Sequence, residues 1–520
     1  MTTMLRPPTL SRGHRWAALA VLCSSVLIAN VDVTILNVAL PTLVRKLHAT
    51  SSELEWIVDA YAMALAGLLL VGGSLADRFG RKRFLLIGLT FFAGGSIGAA
   101  FSGSVHLLIA CRAVMGAGAA LMMPSTLSII NDVFRDPTER SRAIGVWAGT
   151  SGLGIAIGPI AGGILLTRFW WGSVFLVNVP IVIAAIVGAF VLVPESRNPN
   201  ADLPDPGGAT LSIVGLGLLL WAIIEAPSHG WTSGIVLGVG LASLAILGAF
   251  VAWEAHSRHP MLKLGFFTDR CFSVAAAGES LGLFGLMGAL FVQTQFLQFD
   301  LGYSPLQAGL RLLPIAAVLG VSAPLSPIAN RLIGTKLTAT AGLVAIAGGL
   351  WHISTVSTIA TTYGSVVPGM LLIGLGAGLL LPTATNSVVG SVPQGDSGIA
   401  SATNGVAIQV GGALGVAVVG SVMSTRYQSH MTASLVGQHV PVAVTQTILG
   451  SLGGALAVAE EVGGATGGLL AHTARVAFMS GNALSLAIGS AVAFVGALLV
   501  FTALPSRSAR QPSDPGADSK

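Results

Sequence analysis

Three carboxylates stand where carboxylates are costly. Asp32, Asp59 and Glu279 each fall inside long apolar runs. An ionisable group at membrane depth marks a pathway for protons or ions by default. Neutral, such a carboxyl carries a proton; ionised, it attracts a cation. Arg112 lies in a fourth apolar run. Burying its charge costs on the order of 3 kcal/mol even on lenient scales, so a partner is expected. The chain contains no GxxxxGK[ST] phosphate loop, so ATP is not the expected energy source. Its histidines sit mostly in loops without metal spacing, and Cys23, Cys111 and Cys271 form no disulfide framework. Neither an enzyme, a cofactor nor a bound metal is expected.

The elements that hold these groups follow from composition. Charged residues make up 9% of the chain, against about 25% in ordinary soluble domains. Apolar residues make up 53% of the 520. A water-soluble fold could not hide that much apolar surface, whereas lipid accepts it. Glycine is abundant, at 67 residues, and membrane helices use glycine to bring backbones together.

A spanning helix needs about 20 apolar residues, and fourteen such spans are expected. Six lie near 16–38, 55–75, 84–102, 105–126, 143–166 and 172–193, and two near 209–226 and 233–253. The last six lie near 272–297, 307–329, 337–355, 364–386, 399–423 and 478–504. The fold class is thus an all-α polytopic membrane protein. Arg6, Arg12 and Arg15 precede a first run that is too long for a signal peptide and lacks a cleavage site. With an even number of spans, both termini face the cytoplasm. Lys and Arg then divide 19 inside to 6 outside, with Arg112 within a helix, as the positive-inside rule requires. That placement in short loops also sets aside nucleic acid as the reason for the net charge of +5.

The expected organisation is a cytoplasmic N-tail (1–15), a six-helix half (16–193), a polar, Pro-rich linker (194–208), two additional helices (209–253), a cytoplasmic loop (254–271), a second six-helix half (272–504) and a polar C-tail (505–520), expected to be disordered. The second half includes a long outer segment, 424–477, interrupted by Glu460 and Glu461 and not read as a span. Glu225 and Glu254 end spans and are read as interfacial. An internal repeat supports the two halves. Gly116-Ala-Gly118-Ala-Ala-Leu-Met-Met-Pro124 returns as Gly374-Leu-Gly376-Ala-Gly378-Leu-Leu-Leu-Pro382. Ala76-Asp77-Arg78-Phe79-Gly80-Arg81-Lys82 returns, degraded, near Ala329–Lys336. Paired halves that rock about a central site are a common transporter plan.

Four motifs carry a family resemblance. The loop Gly73-Ser-Leu-Ala-Asp77-Arg78-Phe-Gly80-Arg81-Lys82-Arg83 combines turn-permitting glycines with an acid that can pair with arginines or cap a helix. Its expected role is a conformational latch, and it resembles the signature loop of the major facilitator superfamily. Arg112 followed by Gly116 and Gly118 resembles that family's buried-arginine motif, with Met115 where glutamine is usual. Gly154, Gly158 and Gly162 share one helix face, beside Pro159 and Gly163. This resembles the antiporter motif of the family's exporters. Asp32-Val-Thr34-Ile-Leu-Asn37-Val-Ala39-Leu40-Pro41 resembles the first-span motif of its fourteen-helix drug:proton antiporter branch. Trp171, Phe175, Asn178, Pro180 and Gly302-Tyr-Ser-Pro305-Leu-Gln-Ala-Gly309 fit the same branch.

The resemblance implies a major facilitator fold, two six-helix halves plus two inserted helices. It implies export of lipophilic, often cationic drugs in exchange for protons, by a monomer in the bacterial cytoplasmic membrane, with lipids around it. Asp32, Asp59 and Glu279 are the candidate proton or cation sites. The stretch Asn404-Gly-Val-Ala-Ile-Gln409 is neutral where related exporters of dications often carry acids, which argues against a dication preference. An exporter of one endogenous metabolite or antibiotic is the nearest alternative, and a non-transporting receptor or scaffold a more remote one.

Overall fold

The computed structural model describes residues 11–198, 205–257, 260–393 and 397–505. The N-tail through residue 10, residues 199–204 of the linker and the C-tail from 506, with its expected disorder, lie outside the described residues. The first half contains α1 (Arg12–Leu47), α2 (Ser51–Phe79), α3 (Arg81–Ala100), α4 (Val105–Val133), α5 (Pro137–Arg168), α6 (Ser173–Leu176) and α7 (Asn178–Leu192). The inserted segment contains α8 (Pro206–Ile224), α9 (Ala226–His229) and α10 (Gly234–His256). The second half contains α11 (Arg270–Gln295), α12 (Pro305–Ile333), α13 (Thr335–Val356), α14 (Tyr363–Gly390), α15 (Ser397–Leu435), α16 (Val442–Gly450), α17 (Leu452–Val462) and α18 (Gly464–Ala503).

Thirteen helices, counting Ser173–Leu192 as one, are long and apolar enough to cross a membrane among the described residues. The 32-residue α5 occupies the place of the remaining expected span. Helix starts carry their own signals. Thr50 and Glu53 form a reciprocal capping box at α2, as do Ser304 and Gln307 at α12, where Pro305 takes the first turn. The helices overrun the apolar windows at both ends. Apolar length reports the hydrocarbon layer, while backbone hydrogen bonding continues into the interface. The overrun is largest over 424–477. There α15 and α18 extend outward, and α16 and α17 lie between them. Tyr427 anchors this outer cap, its hydroxyl donating to the Ile448 carbonyl at 2.8 Å.

The repeat is visible as packing. Gly88 and Gly118 face each other where α3 crosses α4; a Cβ on either would sit 2.6 Å from the other's carbonyl oxygen. Gly342 and Gly376 repeat this at the α13–α14 crossing. Backbone contact that close needs glycine on both sides. The inserted α8 packs on α2, with Ile213 against Gly67, while α10 is turned largely outward.

The two halves meet along two antiparallel seams. In one, α2 runs beside α15 from Glu55, against Gly420 and Ser421, to Leu69, against Gly405. In the other, α5 meets α12: Gly163 lies on Leu306 and the Pro159 carbonyl faces Gly309. Gln298 donates to the Val38 carbonyl at 2.9 Å, and Ser51 to the Gly450 carbonyl at 3.1 Å. Most of these contacts belong to the ends of the helices opposite the basic loops, so the side expected to face outward is closed in this conformation.

Candidate functional site

The first half buries one charged network. Arg112 of α4 is 1% exposed and forms an ion pair with Asp32 of α1, itself wholly buried. Its Nε donates to the Ile57 carbonyl of α2 at 3.0 Å, and its guanidinium lies 4.5 Å from the Tyr61 ring centroid. Asn178, at the start of α7, donates to the other Asp32 oxygen at 3.0 Å. Four helices thus meet on one ion pair, and both carboxylate oxygens of Asp32 are satisfied. The expected partner of Arg112 is therefore Asp32, which joins two motifs that lie 80 residues apart.

Asp59 lies on α2, two residues before Tyr61. Asp59 falls near the outer end of the second expected span, where interfacial water could solvate a carboxylate. The structure corrects this: Asp59 is wholly buried, and neither carboxylate oxygen has a hydrogen-bond partner among the described residues. Helix α8 and the outer cap cover that end of α2. Glu279 belongs to a separate site in the second half. There it accepts from Thr385 of α14 at 2.7 Å and Asn404 of α15 at 2.8 Å. The three carboxylates are thus not one cluster.

The loop after α2 is held by charge. Arg81 bridges Asp77, at 2.7 Å, and Asp132 at the inner end of α4. Gly80 turns the chain at φ 129°, a conformation that favours glycine. The start of the linker lies against this turn: Asn198 donates its amide to the Asp77 carbonyl at 2.7 Å, and Arg81 its own to Ser196 at 3.0 Å. Lys82 donates to the Phe190 carbonyl at 2.7 Å. Gly73 lies nearby, against Pro124 of α4.

Gly154, Gly158 and Gly162 all face α1, against Asn30, Thr34 and Ile35 in turn. The Thr34 hydroxyl donates to the Gly154 carbonyl at 3.1 Å. Gly163 faces the other way, onto α12. The motif therefore serves two seams, one within the half and one between halves. Gly116 lies against the Tyr61 backbone and lets α4 bring Arg112 to α2.

Sequence reasoning passed over Glu55 and Asp132. Glu55 precedes the apolar stretch of α2 and reads as a helix-start acid, yet it is 0% exposed. Glu254, read as interfacial, lies near the end of α10; it is 2% exposed and accepts from the Leu262 amide at 3.0 Å. The loop after α10 folds back and covers it.

Two repeated helical halves, meeting at closed seams and enclosing buried charges, are the build of a secondary transporter. The chain belongs to the Major Facilitator Superfamily, whose family model matches residues 22–416. It is 38% identical over 503 residues to the multidrug efflux pump LfrA of Mycolicibacterium smegmatis, covering 95% of this chain and 96% of that one. The tetracenomycin C resistance and export protein of Streptomyces glaucescens is 32% identical, covering 98% and 95%. The methyl viologen resistance protein SmvA of Salmonella typhimurium is 30% identical, covering 91% and 95%. Among solved structures, a bacterial homologue of the human lysosomal transporter Spinster, inward-facing and occupied, superposes with a TM-score of 0.64 at 16% identity, covering 97% and 100%. That likeness concerns the fold alone.

Proposed function

We propose that this chain is a multidrug efflux transporter that exports lipophilic, often cationic compounds in exchange for protons by alternating access. What carries the reading is identity of 38% to a named multidrug efflux pump over nearly the full length of both chains. The Asp32–Arg112 pair and the buried Asp59 supply chemistry that such coupling needs. The protein works as a monomer in a bacterial cytoplasmic membrane, with both termini inside and the proton-motive force as its only energy source. Drug enters a central cavity from the cytoplasm or inner leaflet. Outward opening exposes Asp32 and Asp59, and their protonation favours drug release. A proton entering down 100 mV yields about 2.3 kcal/mol, and each pH unit adds about 1.4 kcal/mol. One proton for one monovalent cation cancels the voltage contribution, and two protons restore it. A narrower reading, export of one antibiotic, is favoured by the similarity to the tetracenomycin C exporter.

The test is ethidium transport by purified protein in liposomes under an imposed pH gradient. Active accumulation that collapses with a protonophore is expected; its absence, with the protein folded, would overturn the reading. Asp59→Asn is expected to lower that accumulation about 100-fold, the scale of removing a proton-transfer group. Asp59 has no partner to strand among the described residues, so the amide should leave folding intact, and an unchanged thermal midpoint checks this.

The Asp77–Arg81–Asp132 bridge is the conformational latch of this proposal. Asp77→Asn loosens one bond to a charged group and is expected to slow turnover about tenfold. Drug affinity, measured by direct binding, should stay near normal, because the loop lies beyond the membrane-spanning part of α2. Weakened binding with an unchanged cycling rate would contradict the latch.

A further inference from the structure

We propose that Glu55 is a proton-operated lock on the outer gate, distinct from the residues that carry protons across. The proposal rests on the reading of the chain as a proton-coupled transporter. Glu55 reaches across the seam between halves. Its Oε2 accepts from Ser421 of α15 at 2.9 Å, while Oε1 is buried with no partner among the described residues. Gly420 makes the room: a Cβ there would lie 2.7 Å from the Glu55 carboxyl carbon. The acid is therefore seated in a pocket that exists only while α2 and α15 are together.

No cation faces it. The charged groups around it are Asp59 on its own helix and Glu225 at the end of α8, which accepts from Trp56 at 3.2 Å. His229 of α9 lies 3.9 Å from Glu225 and so sits beyond that acid. From α15, Ser421 is the polar contact; Arg426, further along, donates to Ser480 of α18 at 3.1 Å. The α16 segment, Val442–Gly450, has no titratable residue.

Opening the outer side pulls the halves apart and gives Glu55 to external water, where the carboxylate is well solvated. Closing removes that water and leaves one hydrogen bond. An ionised carboxylate buried with a single partner beside other acids resists this step, whereas the neutral acid does not. Glu55 must therefore take a proton from the outer solution as the gate closes, and it returns that proton to the same side when the gate reopens. The net proton movement through Glu55 is zero, so it sets when the gate closes and leaves the number of protons per drug unchanged.

A disulfide reporter reads the gate without any transport. The Thr50 Cβ lies 3.9 Å from the position of a Cβ on Gly450, within the range of about 3.5–4.5 Å that a disulfide spans. With Thr50→Cys and Gly450→Cys in the full-length protein in liposomes, oxidative crosslinking should fall as external pH rises, by up to about tenfold per pH unit through one titration. In an Asp59→Asn background, which silences the neighbouring acid that is also buried without a partner among the described residues, adding Glu55→Gln should give strong crosslinking at every pH. A pH response that survives Glu55→Gln in that background, or crosslinking lost at every pH, overturns the proposal. Ser421→Ala, which keeps the acid but removes its one bond, should move the midpoint to lower pH; an unmoved midpoint also overturns it. Ethidium transport measured on the same preparations reports separately on the function proposed above.

Discussion

Asp32→Asn is expected to abolish uphill drug export, with a loss of about 100- to 5,000-fold. The size follows from the surroundings of Asp32. Its carboxylate is the ion-pair partner of Arg112, and both are buried. Removing one member of a buried pair costs about 3–5 kcal/mol, because the other charge stays behind. Read as a rate, that is about two to nearly four powers of ten. Two measurements separate a coupling role from a structural one. If Asp32 carries the proton, the variant loses accumulation under a pH gradient yet still exchanges drug for drug across the membrane. If Asp32 only braces α1 against α4 and α7, exchange is lost as well. Arg112→Gln added to Asp32→Asn removes the stranded charge. It should recover thermal stability without recovering uphill export.

The second large effect is expected at the α1–α5 crossing. Gly158→Leu places a branched side chain where the Thr34 hydroxyl already lies, with the Ile35 amide only 3.0 Å from the new Cβ. Overpacking of this kind costs about 1–3 kcal/mol and moves backbone. Here the moving helix also forms a gate seam, since the Pro159 carbonyl faces Gly309 and Gly163 lies on Leu306. Pushing α5 from α1 therefore disturbs the outer seal. Liposomes containing the variant should leak protons without drug, and coupled export should fall about 10- to 100-fold. A variant that folds, stays tight to protons and exports normally would reduce this glycine face to ordinary packing.

Much of the site was legible because membrane burial makes charge conspicuous. Asp32, Asp59, Arg112 and Glu279 stand out in apolar runs, and each is buried in the structure. The glycine spacing of α5 announced a close helix crossing, and α1 supplies the other side. Glu55 escaped because it lies beside Glu53 and Trp56 at a helix start, where acids are ordinary. Only the arrival of α15 from 366 residues away buries it. Asp132 was missed for a similar reason, since Arg81 reaches it across 51 residues of chain.

Local chemistry by itself determined the class of this protein: the membrane, the apolar runs, the orientation expected from Lys and Arg, the two repeated halves and the residues too costly to be idle. These are properties of single segments, set by transfer of side chains and backbone between water and lipid. Tertiary structure alone decided which of the costly residues meet. It paired Asp32 with Arg112, left Asp59 and the Glu55 Oε1 without partners among the described residues, set Glu279 apart in the second half and turned Gly163 to α12 while its neighbours face α1. The reason is directional: a helix shows a different face to each neighbour, and which neighbour stands there depends on how all the helices pack.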